Sequence, residues 1–347
     1  MASFMTKIRI VLLTLGILAL TIMIYQVGPQ TIFIEIKSLG LALLIIYIPY
    51  LISYSCDTLG WRATLAGYRR HIAFKDLFLA RIAGETVNNL TPLAYLGGEP
   101  VKAYILLHRF GVPLVQGLAS VVIAKTTMTI AEIIFILLGI MLASFRIEGG
   151  GPLLSLLLLV LLGGIISVGL FFLAQRRGLF GGFLSLLGRL GIRIPFLMKR
   201  EESLRSLDRA ISDFYIRDRR SFFRSLSFFL LGWIAGAFEV YLLLYFLHIP
   251  IDLSVAIIIE ALASMIKSVA FLIPGAVGAQ EGGNLLIFTL FGLAASTGIT
   301  FSLIRRIREL CIIGVGLLVL SKYEMKVSSL IPPSRGDEQE TSAAGIP

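Results

Sequence analysis

Leu90-Thr91-Pro92-Leu93-Ala94-Tyr95-Leu96-Gly97-Gly98-Glu99-Pro100 decides how this chain can fold. Proline removes a backbone donor and clashes with the preceding turn, and glycine accepts positive φ, so regular helix cannot run through Pro92, Gly97 and Gly98. A second stretch echoes the first: Ile273-Pro274-Gly275-Ala276-Val277-Gly278-Ala279-Gln280-Glu281-Gly282-Gly283. Here Pro274, Gly275 and Gly278 are the breakers. Each break holds a carboxylate, Glu99 or Glu281, amid apolar sequence. In a hydrocarbon solvent, broken backbone is tolerated only where protein or a water-filled cavity shelters it, which makes both breaks candidate sites.

Composition says that the solvent is hydrocarbon. Over 347 residues the chain is 57% hydrophobic and only 15% charged, with a mean hydropathy of +0.90. That describes an all-α polytopic membrane protein rather than two soluble domains. The net charge of +10 does not point to nucleic acid, because the basic residues lie between apolar runs without aromatic interleaving. They read as topology signals and contacts to anionic lipid. Cys56 and Cys311 lie far apart, and His71, His108 and His248 lack metal-ligand spacing. No disulfide framework, metal or cofactor is expected.

Six full spans are expected, near Ile8–Val27, Leu39–Thr58, Pro113–Phe145, Leu153–Ala174, Phe222–Leu247 and Thr300–Leu320, each close to the length that crosses a bilayer. The first has no small-x-small cleavage site after it and is expected to be retained; a short polar link with Glu35 and Lys37 joins it to the second. Arg62, Arg69, Arg70 and Lys75 follow the second span, which places that loop and the N-terminus in the cytoplasm. The two breaks turn the sequence between spans into re-entrant broken-helix pairs, the first entering from the cytoplasmic side and the second from outside. Residues 175–224 form a strongly basic cytoplasmic segment. Within it Leu204, Leu207, Ile211 and Phe214 recur at helical spacing, as in an amphipathic helix that lies on the membrane surface or packs on the protein. The polar residues 326–347 are expected to be a disordered tail.

A shift of 182 residues places Pro92 on Pro274, Glu99 on Glu281 and Asp57 on Glu239. With opposite orientations for the two broken pairs, residues 39–145 and 222–321 become halves of an inverted repeat, a recurrent transporter plan.

A charge in the bilayer centre costs about 2.5 to 3.5 kcal/mol on insertion scales, so interior charges must pair, face a cavity or reach the interface. Glu99 and Glu281 lead the candidates, with two compatible readings: they contact a headgroup or carry protons, or each caps a helix N-terminus beside its break. Arg81, Glu85 and Asn88 share one helical face before Pro92, and Lys125 and Glu132 share another. Lys102, Lys267 and Gln280 lie close to the breaks in sequence. Arg305 and Arg308, beside Arg306 and Glu309, sit near the outer start of the last span, where positive charge is disfavoured. Arginine suits bidentate phosphate recognition, and snorkelling at the interface is the competing reading. Tyr47, Tyr50, Tyr54 and Trp61 read as interfacial anchors or packing.

The motif Gly97-Gly98-Glu99-Pro100-Val101-Lys102-Ala103-Tyr104, preceded by Asn88-Asn89-Leu90-Thr91-Pro92, together with Pro274-Gly275 through Glu281-Gly282, resembles the flippase-like transmembrane domain of the lysylphosphatidylglycerol synthase family. The resemblance covers most of residues 8–325 and implies a flippase-like domain over 1–325 that moves lipid between leaflets. About 25 polar residues follow the last span, so the chain is expected to be a stand-alone membrane part, and the family's aminoacyltransferase activity is not carried over. The substrate it implies is a membrane lipid: phospholipid, polyprenyl-linked or hopanoid-type.

The expectation is therefore a non-enzymatic lipid translocator of a bacterial inner membrane. The headgroup would bind in a central cavity that Glu99 and Glu281 approach from opposite sides, with Arg81, Lys125, Arg305 and Arg308 contacting phosphate or balancing charge. No GxxxxGK[ST] loop occurs, so uphill transport would need an ion gradient or a partner. Further expected partners are anionic lipid at the basic segment and either a second copy of the chain or a separate lipid-modifying enzyme. The competing readings are an intramembrane glycosyl- or acyltransferase and a non-transporting scaffold.

Overall fold

The computed structural model describes residues 28–90, 97–146, 151–189, 201–270 and 276–322, with three positions before Gly28. Apart from those three positions the expected first span lies outside these, as do the breakers Pro92, Pro274 and Gly275 and the tail. Among the described residues all regular structure is helical. Helix α1 (Pro29–Leu39) starts with proline in its first turn and ends at Gly40. The short polar link expected around Glu35 and Lys37 is helical, with Ile32 and Leu39 buried on the side that packs against the last helix. The second span is also displaced from the expected Leu39–Thr58: α2 runs Ala42–Thr64. It continues past Thr58 because Trp61, Ala63 and Thr64 are buried.

Two short helices follow, α3 (Phe74–Leu90) and α4 (Gly98–Phe110), then the long α5 (Leu114–Ser144) and α6 (Gly151–Arg177). Helices α7 (Leu179–Arg189) and α8 (Glu201–Arg217) cover the linker. The order long, short, short, long then recurs in α9 (Arg219–Phe246), α10 (Leu253–Val269), α11 (Ala279–Leu290) and α12 (Ala295–Lys322). Among the described residues α2, α5, α6 from Ser155 and α9 are long and apolar enough to cross a membrane. The chain is a polytopic membrane protein. Helix α12 matches α9 in length, but Arg305, Arg306, Arg308 and Glu309 interrupt its apolar run.

The first helices of the two groups, α2 and α9, cross antiparallel. Ser225 Oγ donates to the Gly60 carbonyl at 2.9 Å; farther along, Gly232 lies against Asp57 and Ser53, and Ile46 joins Val240 and Leu243 in one core cluster. Around this crossing the groups exchange helices: α3 packs on α12, and α10 packs on α5. One apolar cluster joins the end of α2, the α3–α4 pair, the first half of α5 and the end of α12. The other joins the start of α2, the end of α9, the α10–α11 pair and the start of α12. The short pairs therefore enter the bundle from opposite ends. Arg146 after α5 reaches Asp252 before α10 at 2.5 Å, at the end opposite Arg62 and Arg69. Ser254 Oγ, the Val255 N–H and Arg146 hold the Asp252 carboxyl below the usual aspartate range. This exposed latch is thus intact at neutral pH and loosens only as pH falls through that lowered value.

The amphipathic α8 does not lie open on a surface. Its Leu207, Ile211, Phe214 and Tyr215 are buried against Ala119 and Ile123 of α5, so of the two sequence readings the packed one holds. Asp208 accepts from the Phe180 and Gly181 N–H groups at 3.0 and 2.7 Å, which caps the start of α7. On the exposed face of α8, Arg205 and Arg217 pair with Glu201 and Asp213.

The exchanged helices touch closely. A β-carbon on Gly139 of α5 would fall 2.3 Å from Ala261 Cβ of α10, and one on Gly316 of α12 would fall 1.8 Å from Thr86 Oγ1 of α3. Overpacking costs about 1 to 3 kcal/mol where helices cannot separate freely. Gly139→Val and Gly316→Val should each lower the unfolding midpoint in detergent, whereas Gly163→Val, where a β-carbon meets nothing within 4 Å, should leave it within error; thermal unfolding read by loss of monodisperse protein checks this.

Candidate functional site: a ladder of buried ion pairs

In the first group, Arg81 of α3 is buried and forks between two acids. Its Nη2 donates to Asp57 Oδ2 at 2.8 Å and to Glu85 Oε1 at 3.0 Å, and its guanidinium lies 4.7 Å from the centre of the Tyr54 ring. Sequence spacing had put Arg81 and Glu85 on one face; the partner from α2 is what the packing adds. At the break, Asn88 ties the end of α3 to the start of α4. Its Oδ1 accepts from the Gly98 N–H at 2.6 Å, and its Nδ2 donates to Glu99 Oε1 at 3.3 Å. Lys102 Nζ donates to both Glu99 oxygens at 3.1 and 3.2 Å. Gly98 is required here, since a β-carbon would lie 1.8 Å from the Gly84 carbonyl oxygen. Gly97 immediately precedes α4.

In the second group, Glu281 of α11 is fully buried. Its Oε2 accepts from the Gly278 N–H at 2.7 Å, and Gly278 has φ 81°, where a side chain would be strained. The capping reading of Glu281 is therefore correct locally, and its other oxygen is free for a second role: Oε1 accepts from Arg306 Nε at 2.9 Å. Arg306 also donates to Glu309 Oε2 at 3.0 Å, and Lys267 Nζ donates to Glu309 Oε1 at 3.2 Å. Deeper in the same group Arg305 bridges Glu260 of α10 at 2.5 Å and Glu239 of α9 at 3.4 Å. Arg308 completes the set by pairing with Glu239 and lying 3.6 Å from the centre of the Tyr50 ring of α2. Asp57 and Glu239, which the 182-residue shift superposes in sequence, thus both hold arginine, but one draws it from α3 and the other from α12.

Glu85 joins the two groups. Lys102, Lys125 and Lys267 all act on it electrostatically, besides Arg81. Two ladders of paired charges result, Glu99 with Lys102 and Lys267 with Glu309, Arg306 and Glu281, and Glu85 lies in the electrostatic range of both. Glu132 of α5 lies beside it, accepting from Ser268 Oγ at 2.6 Å and within range of Lys125 and Lys267. Gln280 is buried with its Oε1 unpartnered.

Glu99 and Glu281 are each clasped by a cation of their own group, Lys102 and Arg306. Arg81, Arg305 and Arg308, expected to contact phosphate or balance charge, are engaged by carboxylates, and Arg305 and Arg308 are held inside the bundle rather than snorkelling. Sequence reasoning left Glu260, Arg306 and Glu309 out of the site, and set Tyr50 and Tyr54 aside as anchors. The signal was present for the tyrosines: Tyr47, Tyr50, Tyr54, Asp57 and Trp61 recur at three and four residues along one face of α2.

Residues 7–316 match the family described as the lysylphosphatidylglycerol synthase TM region. The chain belongs to that family. Among curated proteins it is similar to a UPF0104 membrane protein of Methanothermobacter thermautotrophicus, with 25% identity over 337 residues, covering 92% of this chain and 96% of the relative. No solved structure matches it. The match to the lysylphosphatidylglycerol synthase TM family covers the first four-helix group, the second as far as Gly316 of α12, and both breaks, so all the paired charges of the site lie within it.

The ladder makes a sharp energetic contrast with surface pairs. Removing one partner of a buried pair costs about 3 to 5 kcal/mol because it leaves an uncompensated buried charge, whereas an exposed pair contributes about 1 kcal/mol or less. Arg305→Ala, which strands Glu260 and half of the contacts of Glu239, should therefore lower the unfolding midpoint steeply, and Arg205→Ala on exposed α8 hardly at all. Equal midpoints for the two variants, measured by thermal unfolding in the same detergent, would mean that water reaches Arg305 freely.

Proposed function

We propose that this chain moves a membrane lipid between leaflets and that the headgroup travels along the ladder between the two broken-helix pairs. The observation that supports this reading is the ladder itself: a series of buried and half-buried charges, paired within each group and within electrostatic range of one another at Glu85, between two helix breaks that enter the bundle from opposite ends. A polar headgroup crossing hydrocarbon needs such a series, because each pair can open toward the headgroup while its neighbours stay satisfied. The antiparallel crossing of α2 and α9, with exchanged helices on either side, supplies two related groups that can rock against each other and open to either face in turn.

The reading is non-catalytic. Asp57, Glu85, Glu99, Glu239, Glu260, Glu281 and Glu309 are each salt-bridged or within range of several cations, which suits charge compensation better than proton exchange with a reacting group. Arg62, Arg69, Arg176, Arg177 and Arg219 gather at the end where α2 and α6 finish and α9 begins. By the positive-inside rule that end is cytoplasmic, the N-terminus lies on the same side, and the protein resides in the cytoplasmic membrane.

Reconstitution into vesicles with labelled phospholipid analogues tests the proposal. The wild type should equilibrate label between leaflets faster than empty vesicles. Glu99→Gln and Glu281→Gln should each slow it by about tenfold, the effect of losing one charge-assisted contact of roughly 1.4 kcal/mol. Wild-type rates equal to those of empty vesicles for every lipid class tried would remove the transport reading.

A further inference from the structure

Most charges of the site are buried and committed to one another, but a subset faces accessible space. The Arg305 and Arg81 side chains are 10% and 7% exposed, against 32% for Glu85 and 42% for Lys267. Lys125, Glu132 and Glu309 are half-buried, and Ser268 beside Lys267 is exposed. These side chains come from α3, α5, α10 and α12, yet they lie together. Glu309 accepts from Lys267 Nζ at 3.2 Å, and Glu132 accepts from Ser268 Oγ at 2.6 Å. Lys125 and Lys267 both act electrostatically on Glu85 and on Glu132. Charges left facing hydrocarbon are costly, so the space that they border is aqueous.

The wall of that space is mixed in sign, with the carboxylates of Glu85, Glu132 and Glu309 among the ammonium groups of Lys125 and Lys267. A headgroup that enters has to replace the contacts that it opens. A plain anion drawn to Lys125 and Lys267 would take from Glu85 and Glu132 the cations that offset them, and a stranded carboxylate is costly. A headgroup that carries an ammonium as well as a phosphate supplies a partner to each side of the exchange. The phosphate half has further donors: Arg81 Nε and Arg306 Nη2 are buried without a hydrogen-bond partner among the described residues, on the guanidiniums that hold Glu85 and Glu309. The ammonium half is best primary. Carboxylates take N–H donors, whereas a quaternary ammonium is held on aromatic faces. Here the Tyr50 and Tyr54 rings are already occupied by Arg308 and Arg81.

We propose that the headgroup this site accepts is a zwitterion of the aminoalkyl phosphate class, phosphoethanolamine being the simplest, with Lys125 and Lys267 taking the phosphate and Glu85 and Glu132 the primary ammonium. The inference rests on the translocation reading and narrows it to one class of headgroup. Glu132 decides the ammonium half. Glu85 is held by Arg81 at 3.0 Å and Glu309 by Arg306 at 3.0 Å, whereas the hydrogen bond to Glu132 comes from the neutral hydroxyl of Ser268, which an incoming ammonium displaces without stranding a charge.

The test uses the full chain in vesicles that carry acyl-labelled phosphatidylethanolamine, phosphatidylglycerol or phosphatidylcholine in equal amounts, with equilibration of label between leaflets followed in time. The wild type should move the ethanolamine lipid about tenfold faster than either of the others, the effect of one charge-assisted contact. Glu132→Gln, which keeps the size of the side chain and an acceptor for Ser268, should reduce that preference to about twofold. Arg205→Gln on the exposed face of α8 should leave it as in the wild type. Phosphatidylglycerol or phosphatidylcholine moving as fast as phosphatidylethanolamine overturns the headgroup class and leaves translocation standing, and so does a preference undiminished in Glu132→Gln. Movement of none of the three removes the translocation reading instead. Native mass spectrometry of protein extracted from an equimolar mixture then decides the headgroup: preferential retention of phosphatidylethanolamine supports the class, and equal retention of the three lipids overturns it.

Discussion

Arg305 holds Glu260 of α10 and Glu239 of α9 from its place on α12, and much of the second group is arranged around that contact. Each of the three charges would be costly alone in hydrocarbon. Together they oblige three helices to meet at one depth and in one rotation, because breaking any one pair strands a charge. Small residues allow that meeting: Gly236 of α9 lies against the Glu260 carboxyl. Aromatic faces complete the shell, Phe301 under Arg305 and Tyr50 under Arg308. Since Tyr50 belongs to α2, the contact also registers the second group against the first.

The two groups share a helix order but not a charge pattern. Asp57 and Glu239 occupy equivalent places, yet Arg81 reaches Asp57 from a short helix while Arg305 and Arg308 reach Glu239 from a long one. The breaks differ likewise. Glu99 is fastened through Asn88 and Lys102 close by in sequence, whereas Glu281 caps its own helix and reaches across to α12. The two groups thus share a helix order while their carboxylates are held by different helices.

Much of the architecture was legible in the sequence because hydrophobic span length and helix breakers are local signals. The long helices fell near the expected places, and Pro113, Gly98 and Gly278 stand where the neighbouring helices begin. The errors were at positions where local polarity misled. Glu35 and Lys37 suggested a link, but the buried Ile32 and Leu39 make that stretch a helix. Arg62 suggested an end to α2, but the helix runs on beneath buried Trp61 and Thr64.

The candidate site was legible only as a set of residue types. The scarcity of charge in an apolar chain was enough to single out Glu99, Glu281, Arg81 and Arg305, since any interior charge must be compensated. Which charge compensates which depends on helix rotation and on the exchange of α3 and α10 between groups, and neither is written in spacing along one helix. The sequence by itself determined that this protein lives in a membrane, breaks two helices beside carboxylates and repeats a pattern. Only the tertiary structure decided which cations hold those carboxylates, Lys102 for Glu99 and Arg306 for Glu281, because ion pairing is a matter of a few ångströms between side chains that packing brings together.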